Sequence, residues 1–413
     1  MASNPSWPSL ELHPVKADFP ALTIGTRTLN GGSSARIYVC GITPYDSTHL
    51  GHAATYLTFD LANRYLQLSG RDVSFVENIT DIDDPLLERA QRDGVSWESL
   101  ARSQIDLFTS DMTQLHVCAP NHFVPVTQVI PLIADCISAL ISKGATYTLD
   151  GDIYFNISPY LKDLPLPEKE AIAIFAERGG DPTRKGKQNP LDPLLWMQAR
   201  AGEPHWQTLI GNGRPGWHIE CSAISLRYLL GEDFLTPATK DFLIDIQGGG
   251  TDLIFPHHFM SAALAHGMTG IDFAQSYLHV GMIGLGGEKM SKSKGNLVFV
   301  SHLISEGTHP ASIRLALMNH HYSEDFMWDS KHLESSNNLL SRLQSVLGSG
   351  FSIEATSYIQ SMVEALASNL DTKRVLQILE DWIEGSEKAP ESLSIDDTGL
   401  MARALDSLLG LSL

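Results

Sequence analysis

The sequence predicts an α/β protein: a parallel sheet split by an inserted region and followed by a helical C-terminal part. Three observations carry this. A strand, helix, strand pattern fills the stretch from Ala35 to Thr80. Buried-strand patterns return only after Phe242, beyond a polar, Gly-rich stretch. After Asn296 the apolar residues recur with helical spacing.

In chain order, "ARIYVC" (Ala35 to Cys40) is β-branched and aromatic and ends in Gly-Ile-Thr-Pro turn chemistry. From Leu50, residues Leu57, Leu61, Tyr65 and Leu68 follow a helical period that Gly70 closes. "RDVSFVENIT" then reads as the next strand, so Cys40 and Asn78 are expected at the carboxyl ends of neighbouring parallel strands. The stretch from Val124 to His205 mixes a helical run (Val129 to Ser142), a strand "GDIYFNIS" and the polar "ERGGDPTRKGKQNP", as an insertion would. "DFLIDIQGGGTDLIFPHH" and "QSYLHVGMIGLGG" resume the sheet, and "LESSNNLLSRLQSVLG" and "DTKRVLQILEDWIEG" carry amphipathic stripes. The expected divisions are 1–34 (extension), 35–123 (first half of the sheet), 124–205 (insertion), 206–300 (second half) and 301–413 (helical bundle).

Composition bounds the function. With 413 residues and 43% hydrophobic content, the chain can build two or three globular domains. No basic start leads into an apolar run, so neither a signal peptide nor a membrane span is expected, and a cytoplasmic protein is. Four cysteines are too few and too dispersed for a disulfide framework; they are buried thiols, metal ligands or nucleophiles. Forty-eight acidic against 29 basic residues give a formal charge of −19, which counts against a long polyanionic partner.

The chemistry concentrates in two stretches. In "YVCGITPYDSTHLGHAATY", His49 and His52 lie three apart at a helix start, where free N–H groups and the helix dipole favour an anion. Gly51 between them removes a side chain that would block a base or phosphate. Taken alone, one thiol and two imidazoles here are a metal site, a nucleophile or buried packing. "GEKMSKSKGN" sets Lys289, Lys292 and Lys294 among Gly and Ser, a loop suited to polyphosphate or simply to solvent. The carboxylates Asp81, Asp83 and Asp84 in "TDIDDP" are either a metal-binding cluster or caps and turn bonds ahead of the helix that Pro85 begins, and no catalytic role is assigned to them.

Together and in this order, the two stretches resemble the His-Ile-Gly-His and Lys-Met-Ser-Lys-Ser signatures of class I aminoacyl-tRNA synthetases, with Leu50 in place of Ile and Lys289 to Ser293 complete. The resemblance implies a Rossmann-like catalytic domain of that class with an inserted α/β connective region and a C-terminal helical bundle. "NITDIDDP", "GRPGWHIECSA" and "GGGTDLIFPHH" are similar to blocks of cysteinyl-tRNA synthetase, whose zinc ligands map onto Cys40, Cys221 and His257. Spacing alone would leave both thiols as buried filler.

Two departures separate the chain from that enzyme. The family's fourth ligand, a Glu, is Ser261 here, and the C-terminal part is short and acidic, without a basic, aromatic RNA platform. Both point to the cysteine:glucosaminyl-inositol ligases of mycothiol biosynthesis, which "ERGGDP" (Glu177 to Pro182) and "GITPYDSTHLGHAATY" resemble more closely. That resemblance runs nearly end to end, apart from a longer link over 231–242. It implies one Zn²⁺ on Cys40, Cys221 and His257, and ATP as substrate with Mg²⁺, met by His49, His52, Lys289 and Lys292. It also implies an adenylate site of Cys40, Gly41, Ile42, Thr43, Thr55, Asn78, Ile79, Thr80, Trp217, Gly250, Thr251, Asp252 and Ile283. The partners implied are L-cysteine, ATP and glucosaminyl-inositol, with no nucleic acid or membrane and a monomer by default. Cysteinyl-tRNA synthetase activity is the alternative.

Overall fold

The computed structural model describes residues 7–45, 48–238, 241–290, 295–389 and 396–413. Ahead of the sheet, β1 (Thr23–Ile24) and β2 (Arg27–Thr28) pair as a hairpin. Trp7 is buried, its ring centroid 5.6 Å from those of Phe108 and Phe123, and it donates from Nε1 to Val117 O at 2.9 Å. The N-terminal segment is therefore part of the core.

The first half follows as β3 (Ser34–Ile42), α1 (Leu50–Leu68), β4 (Asp72–Ile79), α2 (Asp84–Asp93), α3 (Trp97–Gln114) and β5 (His122–Pro125). Next come α4 (Ile130–Ser142), β6 (Thr146–Leu149), β7 (Asp152–Phe155), α5 (Glu168–Glu177), β8 (Leu194–Gln198), β9 (Trp206–Thr208) and β10 (Gly211–Pro215). The second half resumes with α6 (Trp217–Leu230), β11 (Phe242–Gly250), α7 (Phe259–Thr269) and β12 (Asp272–Val280).

The main sheet has the order β12-β11-β3-β4-β5, and every pairing in it is parallel. Chain connections diverge from the central pair β3 and β11, which opens a crevice at their carboxyl ends. Both faces are covered, as a parallel sheet requires. Ile37, Val39 and Phe75 pack with α1 residues such as Phe59, whereas Tyr38, Cys40 and Val76 pack with residues of α4, α6 and α7.

The inserted strands form a separate antiparallel sheet, β6-β7-β8-β10-β9. It differs from the expected 124–205 at both ends. β5 pairs with β4 of the main sheet, and β9 and β10 carry the insertion to Pro215. "GNGRP" is too short and too rich in Gly and Pro to read as a strand; only its pairing with β8 makes it one.

Beyond the main sheet, β13 (Ile283–Leu285) and β14 (Glu288–Lys289) are followed by α8 (Val300–Ser305), α9 (Pro310–Met318), β15 (Phe326–Trp328) and α10 (Ser330–Ser349). The chain continues with α11 (Thr356–Ala367), α12 (Thr372–Lys388) and α13 (Asp396–Leu409). A buried node ties these helices to the catalytic half. Asp60 of α1 accepts from Arg64 Nε at 2.9 Å and from Arg314 Nη2, on α9, at 2.7 Å. Arg314 also donates to Leu115 O and Leu409 O, both at the ends of other helices.

Candidate adenylate and metal site

The carboxyl end of β3 is held open by one asparagine. Asn78 Oδ1 accepts from Tyr38 OH at 2.8 Å and from Gly41 N at 2.9 Å, and Asn78 Nδ2 donates to Thr80 Oγ1 at 3.1 Å. A Cβ on Gly41 would fall 1.6 Å from Asn78 O, so the two strand ends approach as closely as backbone allows. Cys40 sits in this constriction with its side chain on the α6 and α7 face.

Three elements bring a thiol, a thiol and an imidazole together there. Cys40 comes from β3, Cys221 from α6, and His257 from the turn Ile254–His258 ahead of α7. All three are buried, and their ligand atoms lie within 4.8 Å of one another. His257 Nε2 is 3.1 Å from Cys221 Sγ, while its Nδ1 is paired with His218 Nδ1 at 2.9 Å. A second ring nitrogen fixed this way orients the first, as partners of metal-bound histidines do. Burial pushes His257 well below the ordinary imidazole range and His218 down to about 3. Both rings are then neutral at physiological pH and offer lone pairs. Burial raises the Cys40 thiol.

The donor set of two sulfurs and one nitrogen suits zinc, and three such ligands would leave a fourth tetrahedral position open. His258, adjacent in sequence, touches this group only at Cys40 and is not one of the three mutually close ligand atoms. Its Nε2 approaches Cys40 Sγ at 3.2 Å, and its Nδ1 pairs with His279 Nε2 at 2.7 Å. Ser261 is buried on α7 and donates to His218 O at 3.4 Å; it supplies no ligand.

The thiols open onto a cavity of about 360 Å³ whose far wall is the start of α1. Cys40, Gly41, Ile42, Thr43, Thr55, Asn78 and Thr80 line it from the first half. Trp217, Gly250, Asp252 and Ile283 line it from the second. Trp217 stacks on His257 with centroids 4.1 Å apart, roofing the cluster of Cys40, Cys221 and His257. Two expected residues stand elsewhere. Ile79 points into the α1-side core, because alternation along β4 sends it to the face opposite Tyr38 and Cys40, and Thr251 lies in the turn beside Gly250 without lining the cavity.

His49 caps α1: its Nδ1 accepts from Gly51 N at 3.1 Å and His52 N at 3.4 Å, and its ring stacks on that of His52 at 3.9 Å. The glycine between them has a second reason to exist. A Cβ at 51 would lie 2.9 Å from His49 Cε1, so Gly51 makes room for the cap itself. The α1 entry is paired with the chain beyond the Lys-rich loop, Leu50 N donating to Val298 O at 2.9 Å and Val300 N to Thr48 O at 3.1 Å. Lys289 lies on β14, opposite Gly284 of β13, and Lys292 lies outside the described residues. Asp83 caps α2 by accepting from Leu86 N, and Asp81 binds the Thr127 backbone and hydroxyl, so both serve turns, the second of the two readings the sequence allows.

Fold and site together define a class I aminoacyl-tRNA synthetase-type catalytic domain. Residues 28–338 match the family described as tRNA synthetases class I (C) catalytic domain. The methionyl-tRNA synthetase of Mycobacterium tuberculosis, solved with methionyl-adenylate, superposes with a TM-score of 0.67 over 92% of both chains at 16% identity. Curated relatives are more similar in sequence. The L-cysteine:1D-myo-inositol 2-amino-2-deoxy-alpha-D-glucopyranoside ligase of Streptomyces coelicolor is 45% identical over 99% of this chain and 100% of its own. The ligase of the same name from Frankia casuarinae is 48% identical over 88% of this chain and 77% of its own. The chain belongs to this family of cysteine:glucosaminyl-inositol ligases, a branch of the class I synthetases. None of the described helices is long and apolar enough to cross a membrane.

Proposed function

We propose that the protein joins L-cysteine to the amine of glucosaminyl-inositol in two steps within this cavity. Cysteine's carboxylate attacks the α-phosphate of ATP and expels pyrophosphate. The sugar amine then attacks the carbonyl carbon of the cysteinyl adenylate; the bond to AMP breaks, the amine loses a proton, and an amide forms. One observation carries the reading: a single cavity joins Cys40 and Cys221, the two thiols of the cluster with His257, to the histidine-capped start of α1. The near-complete overlap with ligases of the same length supports it.

Cys40, Cys221 and His257 would hold Zn²⁺, which when bound supplies a thiolate-preferring partner for the substrate sulfur and so separates cysteine from serine. His218 keeps His257 in register, and Trp217 closes the cluster from solvent. Asn78 and Gly41 hold the strand end beside which the amino acid's carboxylate would lie. His49 and His52 at the start of α1 would face the phosphates, and Lys289 and Lys292 would balance the charge that develops on pyrophosphate. Asp252 is the one carboxylate among the described cavity residues, so Mg²⁺ would travel chiefly on the ATP phosphates. The enzyme is read as a cytoplasmic monomer acting on small molecules, without nucleic acid.

The test incubates the protein with cysteine, ATP, Mg²⁺ and glucosaminyl-inositol and measures the amide together with AMP. Cysteine-dependent pyrophosphate exchange without amide, accompanied by charging of tRNA, would overturn the reading in favour of a cysteinyl-tRNA synthetase. No exchange at all would point to a catalytically silent relative.

A further inference from the structure

The block Glu177 to Pro182 has no part in the mechanism above, yet it closes onto the turn that carries His257. α5 buries Ala171 and Phe175 in the same core as Phe255. Immediately after the helix, Arg178 Nη1 donates to Phe255 O at 2.8 Å. The block is anchored from its other end as well. Asp181 accepts from Tyr154 OH on β7, and from Lys187 Nζ at 2.8 Å, which ties it to the antiparallel sheet of the insertion.

Phe255 stands two residues before His257, and the chain there leaves helical geometry, with Phe255 at φ −137° and ψ 136°. The direction of its carbonyl therefore sets the plane of the peptide leading to the ligand. We infer that Arg178 is a positioning residue for the metal site: a cationic donor on the inserted region that holds the Phe255 peptide and, through it, His257. This rests on reading Cys40, Cys221 and His257 as a zinc site. It gives the insertion a second duty, since a part of the chain outside the main sheet would then control how firmly the cysteine-binding metal is held.

Arg178 is an exposed residue, so replacing it opens no cavity in the core, and what is lost is the bond to Phe255 O. The experiment uses the full chain loaded with zinc and follows zinc release to a chelating indicator, alongside KM for cysteine and for ATP in pyrophosphate exchange. In Arg178→Met, which keeps the stem and removes the donors, zinc should leave about tenfold faster or more. KM for cysteine should rise while KM for ATP stays at the parental value, and Arg178→Lys, with one donor restored, should fall between the two. Parental release and parental KM for cysteine in Arg178→Met would overturn the positioning role alone. A parent that holds no zinc would overturn the metal reading first, and this inference with it. Should Arg178→Met fail to fold, Arg178→Gln decides by the same two readouts.

Discussion

Asn78 holds two neighbours with one oxygen, and the tightness of that arrangement sets what its surroundings tolerate. Gly41→Ala would drive a methyl into the Asn78 carbonyl, where backbone cannot yield as a side chain can. The expected cost is at the upper end of about 1–3 kcal/mol or beyond, read as a lower urea midpoint, with loss of pyrophosphate exchange. At the metal cluster, Cys221→Ala should abolish zinc retention and cysteine activation, and unchanged zinc by elemental analysis would count against the ligand assignment. A different residue governs stability against pH. Asp111 on α3 is buried, and burial pushes its carboxyl up to about 7 from the ordinary 3.8, outweighing the Thr48 hydroxyl that pulls it down. An acid raised by folding stabilises most below 3.8, and that contribution is lost as pH climbs through about 7. Asp111→Asn should therefore flatten the fall in stability over this range, measured by urea unfolding at several pH values. At this scale the sequence exposed Cys40, Cys221 and His257 only through family likeness. Their separation along the chain hides that a strand end, a helix and a turn meet. His218 and Arg178 were not legible at all, because each acts on a partner far away in sequence.

Elements were easier to read where local chemistry and packing agree. α1 starts at Leu50 and ends before Gly70, as the apolar period and the glycine predict, and β3 and β4 lie side by side and parallel. The insertion was harder, since β9 and β10 carry few strand-forming residues and exist by pairing. The cap of α1 offers a test that separates structure from chemistry. His49→Ala removes the acceptor for Gly51 N and His52 N and should cost about 1 kcal/mol of stability along with adenylate formation. His49→Asn restores a capping acceptor without an imidazole, so it should regain the stability and not the activity. Recovery of both would mean that the ring does no more than cap the helix.

Across the whole molecule, the C-terminal helices are fastened to the catalytic half through Asp60, Arg64 and Arg314, all buried. Amphipathic stripes foretold the helices; charged residues inside a core give no such periodic signal, so the fastening was not foreseen. Burial alone would raise the Asp60 carboxyl, yet the two guanidiniums beside it hold it below its usual value. Asp60→Asn would strand two cations in the core and should cost about 3–5 kcal/mol, seen as a large drop in the unfolding midpoint. Loss of less than about 1 kcal/mol would mean that water or relaxation compensates the pair. The four cysteines, all free and all buried, divide across the same architecture. Cys40 and Cys221 line the cavity, whereas Cys118 and Cys136 are packed away from it. Thiol-alkylating reagents thus become a two-stage clock: on the proposed zinc assignment, modification of the first pair times the release of the metal, and modification of the second times the opening of the fold.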